Sequence, residues 1–326
     1  MIFLRIAFSF GSLLSINEII ECSTILSKYN PDSIWIPETW GMECFSMIST
    51  ISQIAKKPKL GTSIVNIYSR SPTLIAMAAV TMDTISQGRF ILGLGTSSQS
   101  VIGDWHGMKF VEPLERMHEY VKIIRLIIQG GKANYNGNLF QLKNFSLLIE
   151  SPRKQIPIYL AAVNQKMIEL TWKIADGVIF YLRPINELQK TVEKMQQVRK
   201  IDVACQLITS VSDDEEKAMN RAKKTIAFYV SVGKIYREFL ARNGYQKETT
   251  AIYEAYKKSG LVENYKMVPD FMVHDLTICG TTNEIKKQLS KFIRAGINLP
   301  ILQFNPIGDV KKSFNLLISA IEGDMN

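Results

Sequence analysis

Three features of the sequence predict a (β/α)8 barrel, the TIM-barrel class of α/β fold. Short runs rich in β-branched and aromatic residues alternate with longer amphipathic runs, the pattern of parallel strands joined by crossover helices. Eight such strand–helix units can be counted along the chain. The 326 residues exceed the roughly 250 that such a barrel needs, which leaves room for insertions. A doubly wound sheet is the structural runner-up and fits less well, because a single open sheet rarely takes eight such units.

The first strand is expected at 3–10, where the apolar N-terminal run alternates as a strand does. Ser15 and Glu18, three residues apart, form a capping box that opens a helix to about Lys28. Residues 33–37 read as the second strand and 43–55 as its helix; 59–65 as the third strand, with a helix over 72–86; and 89–94 as the fourth. A long loop leads to a helix over 112–129. Residues 130–150 break the rhythm. There NYNGNLFQL sets a glycine turn between aromatic-rich arms, which predicts a hairpin insertion. The fifth strand is placed at 158–161 and its helix from Asn164 to Ala175; the sixth at 177–181, with Pro184 opening a helix to about Arg199. The seventh strand covers 203–209, and Ser212 with Glu215 reads as another capping box before a long helix. A second insertion, rich in Tyr, Lys and Met, spans about 230–275. Thr281 and Glu284 cap a further helix, and the eighth strand at 298–304 is closed by a helix ending near Ile321. No Gly/Ser-rich or Pro-rich linker interrupts this order, so residues 1–326 read as one domain.

Composition narrows the function. With 46% hydrophobic and 21% charged residues, the chain can bury a large core, and wholesale disorder is excluded. Cys22, Cys44, Cys205 and Cys279 stand far apart, which argues against a disulfide framework and a zinc site and fits a reducing compartment. His106, His118 and His274 lack ligand spacing, so no metal is expected. The N-terminal run carries Arg5 and lacks the layout of a signal peptide, and no stretch approaches a membrane span; the cytoplasm is the expected location, with no membrane partner. The net charge of +9 reads first as a solvated basic surface and second as attraction for an anionic ligand. No recognition motif accompanies it, so nucleic acid is not an expected partner. A small-molecule substrate and a homodimer or higher homo-oligomer are expected.

In this fold, sites sit on the loops that follow the strands. After the second strand, PETWG groups Glu38, Thr39 and Trp40: a carboxylate beside an aromatic suits a buried acid or base, although such a segment alone is more often a surface loop. After the fourth, GLGTSS lacks the dinucleotide fingerprint; Gly93 and Gly95 suggest a place where backbone approaches a flat ligand, or plain turn glycines. After the fifth, Asn164 and Gln165 begin a helix whose free amides suit an anion, or Asn164 simply caps it. His106 reads as structural. A polar, glycine-lined mouth without a metal set or a nucleophile–base pair suits a cofactor that carries the chemistry itself.

Several ordered blocks resemble the bacterial-luciferase-like superfamily, and within it the branch that uses the deazaflavin coenzyme F420. They include IWIPETWG, the run from Leu60 to Arg125 with LGTSIVNIYSRSPTL and GRFILGLGTSS, YNGNLFQL, AAVNQKMIELTWKIADGVI and AGINLPILQFNP. The resemblance is nearest to the methylenetetrahydromethanopterin reductase group. It implies a barrel with deazaflavin or flavin in its mouth, supported by a bulge with a non-proline cis peptide at Ser63–Ile64. It further implies a cofactor site drawn from Ser9, Ser63, Ile64, Val65 and Asn66, from Thr96, Ser97 and Ser98 along the cofactor side chain and ring, and from Val163, Asn164 and Gln165 at its phosphate. Glu38, with Thr39, is then the candidate acid–base or substrate-orienting group, and Trp40 a wall of the substrate pocket.

The chain departs from that pattern in places. The reductases carry glutamate where Ser9 stands and Asp-His where Glu38-Thr39 stands, which leaves the pterin substrate open. Sugar-phosphate dehydrogenases of this branch use that histidine and a glutamate where Ser98 stands, so a sugar phosphate is not expected. The resemblance therefore implies hydride transfer between coenzyme F420 and a small organic substrate, with methylenetetrahydromethanopterin as one candidate. An FMN-dependent monooxygenase is the alternative, and a non-catalytic cofactor-binding barrel the third reading.

Overall fold

The computed structural model describes residues 5–324; positions 3 and 4 of the expected first strand, and the start of the N-terminal run weighed against a signal peptide, lie outside them. From β1 (Ala7–Ser9) the chain passes through α1 (Ile16–Leu26) to β2 (Ser33–Ile36), and through α2 (Cys44–Ile54) to β3 (Lys59–Thr62), which resumes beyond a bulge as β4 (Val65–Asn66). Helix α3 (Pro72–Ile85) leads to β5 (Phe90–Gly95); α4 (Pro113–Gln129) and the hairpin of β6 (Ala133–Asn136) and β7 (Gln141–Phe145) lead to β8 (Ile158–Ala161). Helix α5 (Gln165–Ile174) precedes β9 (Gly177–Tyr181), and α6 (Ile185–Val198) precedes β10 (Asp202–Val211). Then follow α7 (Glu215–Val232), α8 (Lys234–Leu240), α9 (Gln246–Ser259), α10 (Asp270–Leu276), β11 (Thr277–Gly280), α11 (Thr282–Arg294), β12 (Leu299–Phe304) and α12 (Val310–Ile321).

Strands β1, β2, β3, β5, β8, β9, β10 and β12 pair in parallel and in that order, and β12 returns to β1, so the sheet closes as an eight-stranded barrel. The predicted fold class is correct. The capping boxes at Ser15–Glu18 and Thr281–Glu284 are both present. The one expected at Ser212–Glu215 is not: Asp214 caps α7 by accepting from the Lys217 amide, and Ser212 accepts from the Asp214 amide instead. The 130–150 insertion is the expected antiparallel hairpin. The second insertion is helical, and β11, which pairs with β10, was not foreseen. Its four residues follow α10 without a turn residue to announce them.

Three apolar clusters hold these parts. The largest lies between the barrel and the outer helices. A second lies inside the barrel, built on Ala7, Trp35, Ile91, Tyr159, Ile179, Ala204, Leu299 and Ile301. The third belongs to α7–α10, with Ile226, Val230, Leu240, Ile252 and Met272. At the N-terminal end of the barrel, Arg5 bridges Asp32 and Asp202, at 2.9 Å to each, and Lys59 reaches Asp32 at 3.2 Å.

Burial opposes ionisation of Asp32, but the hydrogen bonds and charges of Arg5 and Lys59 outweigh it and hold the carboxyl below its usual range. A depressed folded value means that this contribution to stability is complete above the unfolded carboxyl value of about 4 and is lost as pH falls through the folded one. Asp32→Asn is therefore expected to cost about 1–3 kcal/mol at pH 7, typical of hydrogen bonds to charged groups, and much less at pH 3. Urea unfolding at the two pH values measures the difference; an equal loss at both would show that the charge is not what matters.

Candidate functional site

The barrel interior changes character one layer below its C-terminal mouth. Side chains alternate along a strand, so the inward positions beyond Ala7, Ile179, Ala204 and Ile301 are Ser9, Tyr181, Gln206 and Gln303. On β3 the inward Gly61 lies against the Trp35 ring, and the next inward residue is Ser63. An apolar layer is thus covered by hydroxyls and amides. Ser9 Oγ, Ser63 Oγ, Gln206 Oε1 and Gln303 Oε1 are all buried without a hydrogen-bond partner among the described residues. Each such group costs about 1–3 kcal/mol if left unsatisfied, and four around one mouth make it the candidate place for a ligand. Burial also pushes the Tyr181 hydroxyl well above its usual pKa, so it stays protonated at neutral pH.

The third strand supplies the ledge beside this floor. The Ser63–Ile64 peptide is cis, as the resemblance implies. Ile64 packs against the inner cluster, and Thr62 Oγ1 both donates to and accepts from the backbone of Gly93, at 2.8 Å each way. A Cβ on Gly93 would lie 1.8 Å from the Thr62 carbonyl oxygen, and one on Gly95 would lie 2.5 Å from Ile64 Cγ1. The reading of these glycines as a close approach to a ligand is corrected here: they make room for the protein's own bulge.

The other expected cofactor positions divide. Val65 sends its side chain into the outer core, away from the mouth. Asn66 is buried, and its Oδ1 accepts from the amides of Tyr68 and Ser69, which fixes the turn after β4. Thr96, Ser97 and Ser98 are half-buried at the end of β5; Ser97 holds a left-handed φ of 58°, and Ser98 accepts from the Val101 amide. Val163 is half-buried, while Asn164 and Gln165 are exposed. Asn164 makes no side-chain cap to α5, which removes simple capping as its explanation. Arg183 props that loop from behind: it donates to the Val163 carbonyl at 2.7 Å, pairs with Glu187 and lies against the Phe180 and Phe239 rings.

Glu38, Thr39, Trp40, Glu43, Arg70 and His106 line one cleft of about 390 Å³. Both Glu38 oxygens accept from Arg70, at 2.5 and 2.9 Å, and one also accepts from the Cys44 amide at 3.3 Å. Arg70 donates to Glu43 as well, at 2.9 Å. The hydrogen bonds that Arg70 donates to Glu38 hold the guanidinium firmly charged. Burial opposes ionisation of Glu43, but the Ser46 and Phe45 amides and Arg70 keep its carboxyl below the usual range. Ligand atoms of Glu38, Glu43 and Cys44 converge within 4.8 Å. The guanidinium already engages both carboxylates, and burial beside them pushes the Cys44 thiol far up, so this is an ion-pair knot with a protonated thiol. Thr39 is exposed. Trp40 meets Trp105 and Phe228, each at 5.4 Å between ring centroids. His106 is not the structural residue expected, since it is exposed on the cleft wall. A second cleft of about 450 Å³, beside Pro184, Glu187, Tyr245 and Asp275, shares no lining residue with the first.

Sequence reasoning missed Arg70, Gln206, Gln303 and Tyr181. A signal existed for the last three: each is the polar residue two positions beyond an inward apolar one on the same strand.

Fold and mouth together define a TIM-barrel protein with a buried polar floor at the C-terminal ends of its strands. The chain belongs to the luciferase-like monooxygenase family, whose sequence profile matches residues 6–299. The 5,10-methylenetetrahydromethanopterin reductase of Archaeoglobus fulgidus is 28% identical over 299 residues, covering 88% of this chain and 89% of that one. The coenzyme F420-dependent tetrahydromethanopterin reductase of Methanopyrus kandleri superposes with a TM-score of 0.88 over 99% of each chain, at 21% identity. An F420-dependent secondary alcohol dehydrogenase superposes with a TM-score of 0.81 over 99% of each chain, at 18% identity. No helix among the described residues is long and apolar enough to cross a membrane.

Proposed function

We propose that this protein is a coenzyme F420-dependent oxidoreductase that moves a hydride between the deazaflavin and a small organic substrate. The observation that carries this reading is the set of buried, unpartnered polar atoms on Ser9, Ser63, Gln206 and Gln303 around the third-strand bulge. The names of the relatives above support it. A ring system with amide and carbonyl groups along its edge matches such a floor, and the exposed start of α5 with Val163, Asn164 and Gln165 suits a phosphate. When bound, the deazaflavin supplies a ring carbon that accepts or donates hydride.

The protein's part is placement and exclusion of water. Ile64 and the bulge would form the ledge under the bound ring system. Ser63, Gln206 and Gln303 would offer it hydrogen bonds, and Thr96, Ser97 and Ser98 would hold its side chain. Trp40 covers the cleft on the substrate side, and Glu38, held by Arg70, orients the substrate. Methylenetetrahydromethanopterin is the first substrate to assay.

The test is a side-by-side titration of the purified protein. Coenzyme F420 is expected to bind in the micromolar range or tighter, about −8 kcal/mol, and flavin mononucleotide at least about tenfold more weakly. Tight binding of flavin mononucleotide with none of F420 would replace this reading with a flavin monooxygenase. Binding of neither would overturn both.

A further inference from the structure

Helix α7 lies across the mouth as well as along the barrel. Its Phe228 meets Trp40, which follows β2. Three and seven residues before Phe228, on the same helical face, stand Thr225 and Arg221. Thr225 Oγ1 donates to Asn305 Oδ1 at 2.8 Å. Asn305 is wholly buried, directly follows β12, and donates to the carbonyl of Gln303, one of the floor residues.

Arg221 approaches the same Asn305 oxygen at 3.5 Å, the outer limit of a hydrogen bond. Unlike Arg5, Arg70, Arg125, Arg153 and Arg183 it has no ion pair with a described carboxylate. Unlike Arg89 and Arg199 it gathers no backbone carbonyls among the described residues. Burial alone, with no charge answering it, draws its pKa below the usual value. A desolvated guanidinium is costly unless an anion answers it, and its planar fork matches a carboxylate or phosphate in two hydrogen bonds.

We propose that Arg221, steadied by Asn305 and flanked by Thr225, receives an oxyanion carried by the molecule that occupies the mouth. The oxyanion is a carboxylate or a phosphate, and it belongs either to the substrate or to the cofactor's own anionic side chain. The inference rests on the mouth being the ligand site, as proposed above, and it does not depend on which cofactor fills it. Neither sequence motif nor charge count singles out Arg221; its neighbours in the fold do.

Inorganic phosphate is the probe. Thermal stability of the wild type, Arg221→Met, Arg221→Lys and the exposed control Lys200→Met is followed against phosphate concentration at constant ionic strength. The wild type and the control are expected to be stabilised saturably. Arg221→Met is expected to need at least about tenfold more phosphate, in line with losing a charge-assisted pair, and Arg221→Lys an intermediate amount. If Arg221→Met fails to fold, Arg221→Gln carries the same comparison. Repeating the series with saturating coenzyme F420 assigns the source: loss of the Arg221-dependent response means that the cofactor's anion fills the position, and its persistence means that the position serves the substrate. Equal phosphate responses in the wild type and Arg221→Met, or no response in the wild type, overturn the proposal. F420 that fails to bind would count against the cofactor assignment and leave the phosphate comparison intact.

Discussion

Gly93→Ala is expected to destabilise the protein by about 3 kcal/mol or more, the upper range for overpacking a tight interior, and to abolish binding at the mouth. The new methyl would sit 1.8 Å from the Thr62 carbonyl oxygen. That obstacle is backbone, so no rotamer change relieves it. Strands β3 and β5 would have to part, or the bulge would have to flatten, and the Thr62 Oγ1 hydrogen bonds to Gly93 would break in either case. Ile64 and Ser63 would then leave the positions from which they shape the floor. Gly103→Ala is the control, because a Cβ there meets nothing within 4 Å; its effect is expected within about 0.5 kcal/mol, as for ordinary surface changes. Equilibrium unfolding in urea and a cofactor titration measure both. A Gly93→Ala protein with the wild-type midpoint would show that the two strands are not interlocked in this way.

Glu38→Gln is expected to lower turnover by on the order of 10²-fold, as when a positioned acid–base or orienting group is lost, while cofactor affinity stays within about twofold. Its carboxylate is held from two sides, by the Arg70 fork and by the Cys44 amide. It lines the same cleft as Thr39, Trp40 and His106. Glutamine keeps the shape and one acceptor but loses the charge, so Glu43 would be the carboxylate left to pair with Arg70. A role confined to tying the β2–α2 loop predicts the opposite pattern, with lowered stability and full turnover. Stability and steady-state kinetics measured on the same folded sample separate the two outcomes. Wild-type turnover would remove Glu38 from the proposed machinery.

Much of the scaffold was legible because its signals are local and repeated. Ser15 with Glu18 and Thr281 with Glu284 announce helices through chemistry confined to four residues, and the alternation of strand and helix periods survives insertions. The bulge was legible only through the resemblance around LGTSIVNIYSR. The capping error at Ser212 shows the limit of local pattern: Asp214 directly precedes the helix and holds the Lys217 amide, while Ser212 stands two residues too early to cap it.

The polar floor was less legible, because Ser9, Ser63, Gln206 and Gln303 lie far apart in sequence and meet only when the barrel closes. The partner of Glu38 was hidden for the same reason, since Arg70 is 32 residues away and on a different loop. Gly93 and Gly95 carried a correct message, close approach, with the wrong partner inferred. A glycine tells of crowding and not of what crowds it.

The residues that keep the barrel shut are not those that choose what enters it. Ala7, Trp35, Tyr159 and Ile301 form a layer below the floor, and the Arg5 bridge sits at the opposite end. Ser9, Glu38 and Ser98, the places where this chain departs from the pattern it resembles, all lie above that layer. Substitutions at the rim can therefore change the chemistry of the mouth while the layer below and the far end of the barrel keep their contacts.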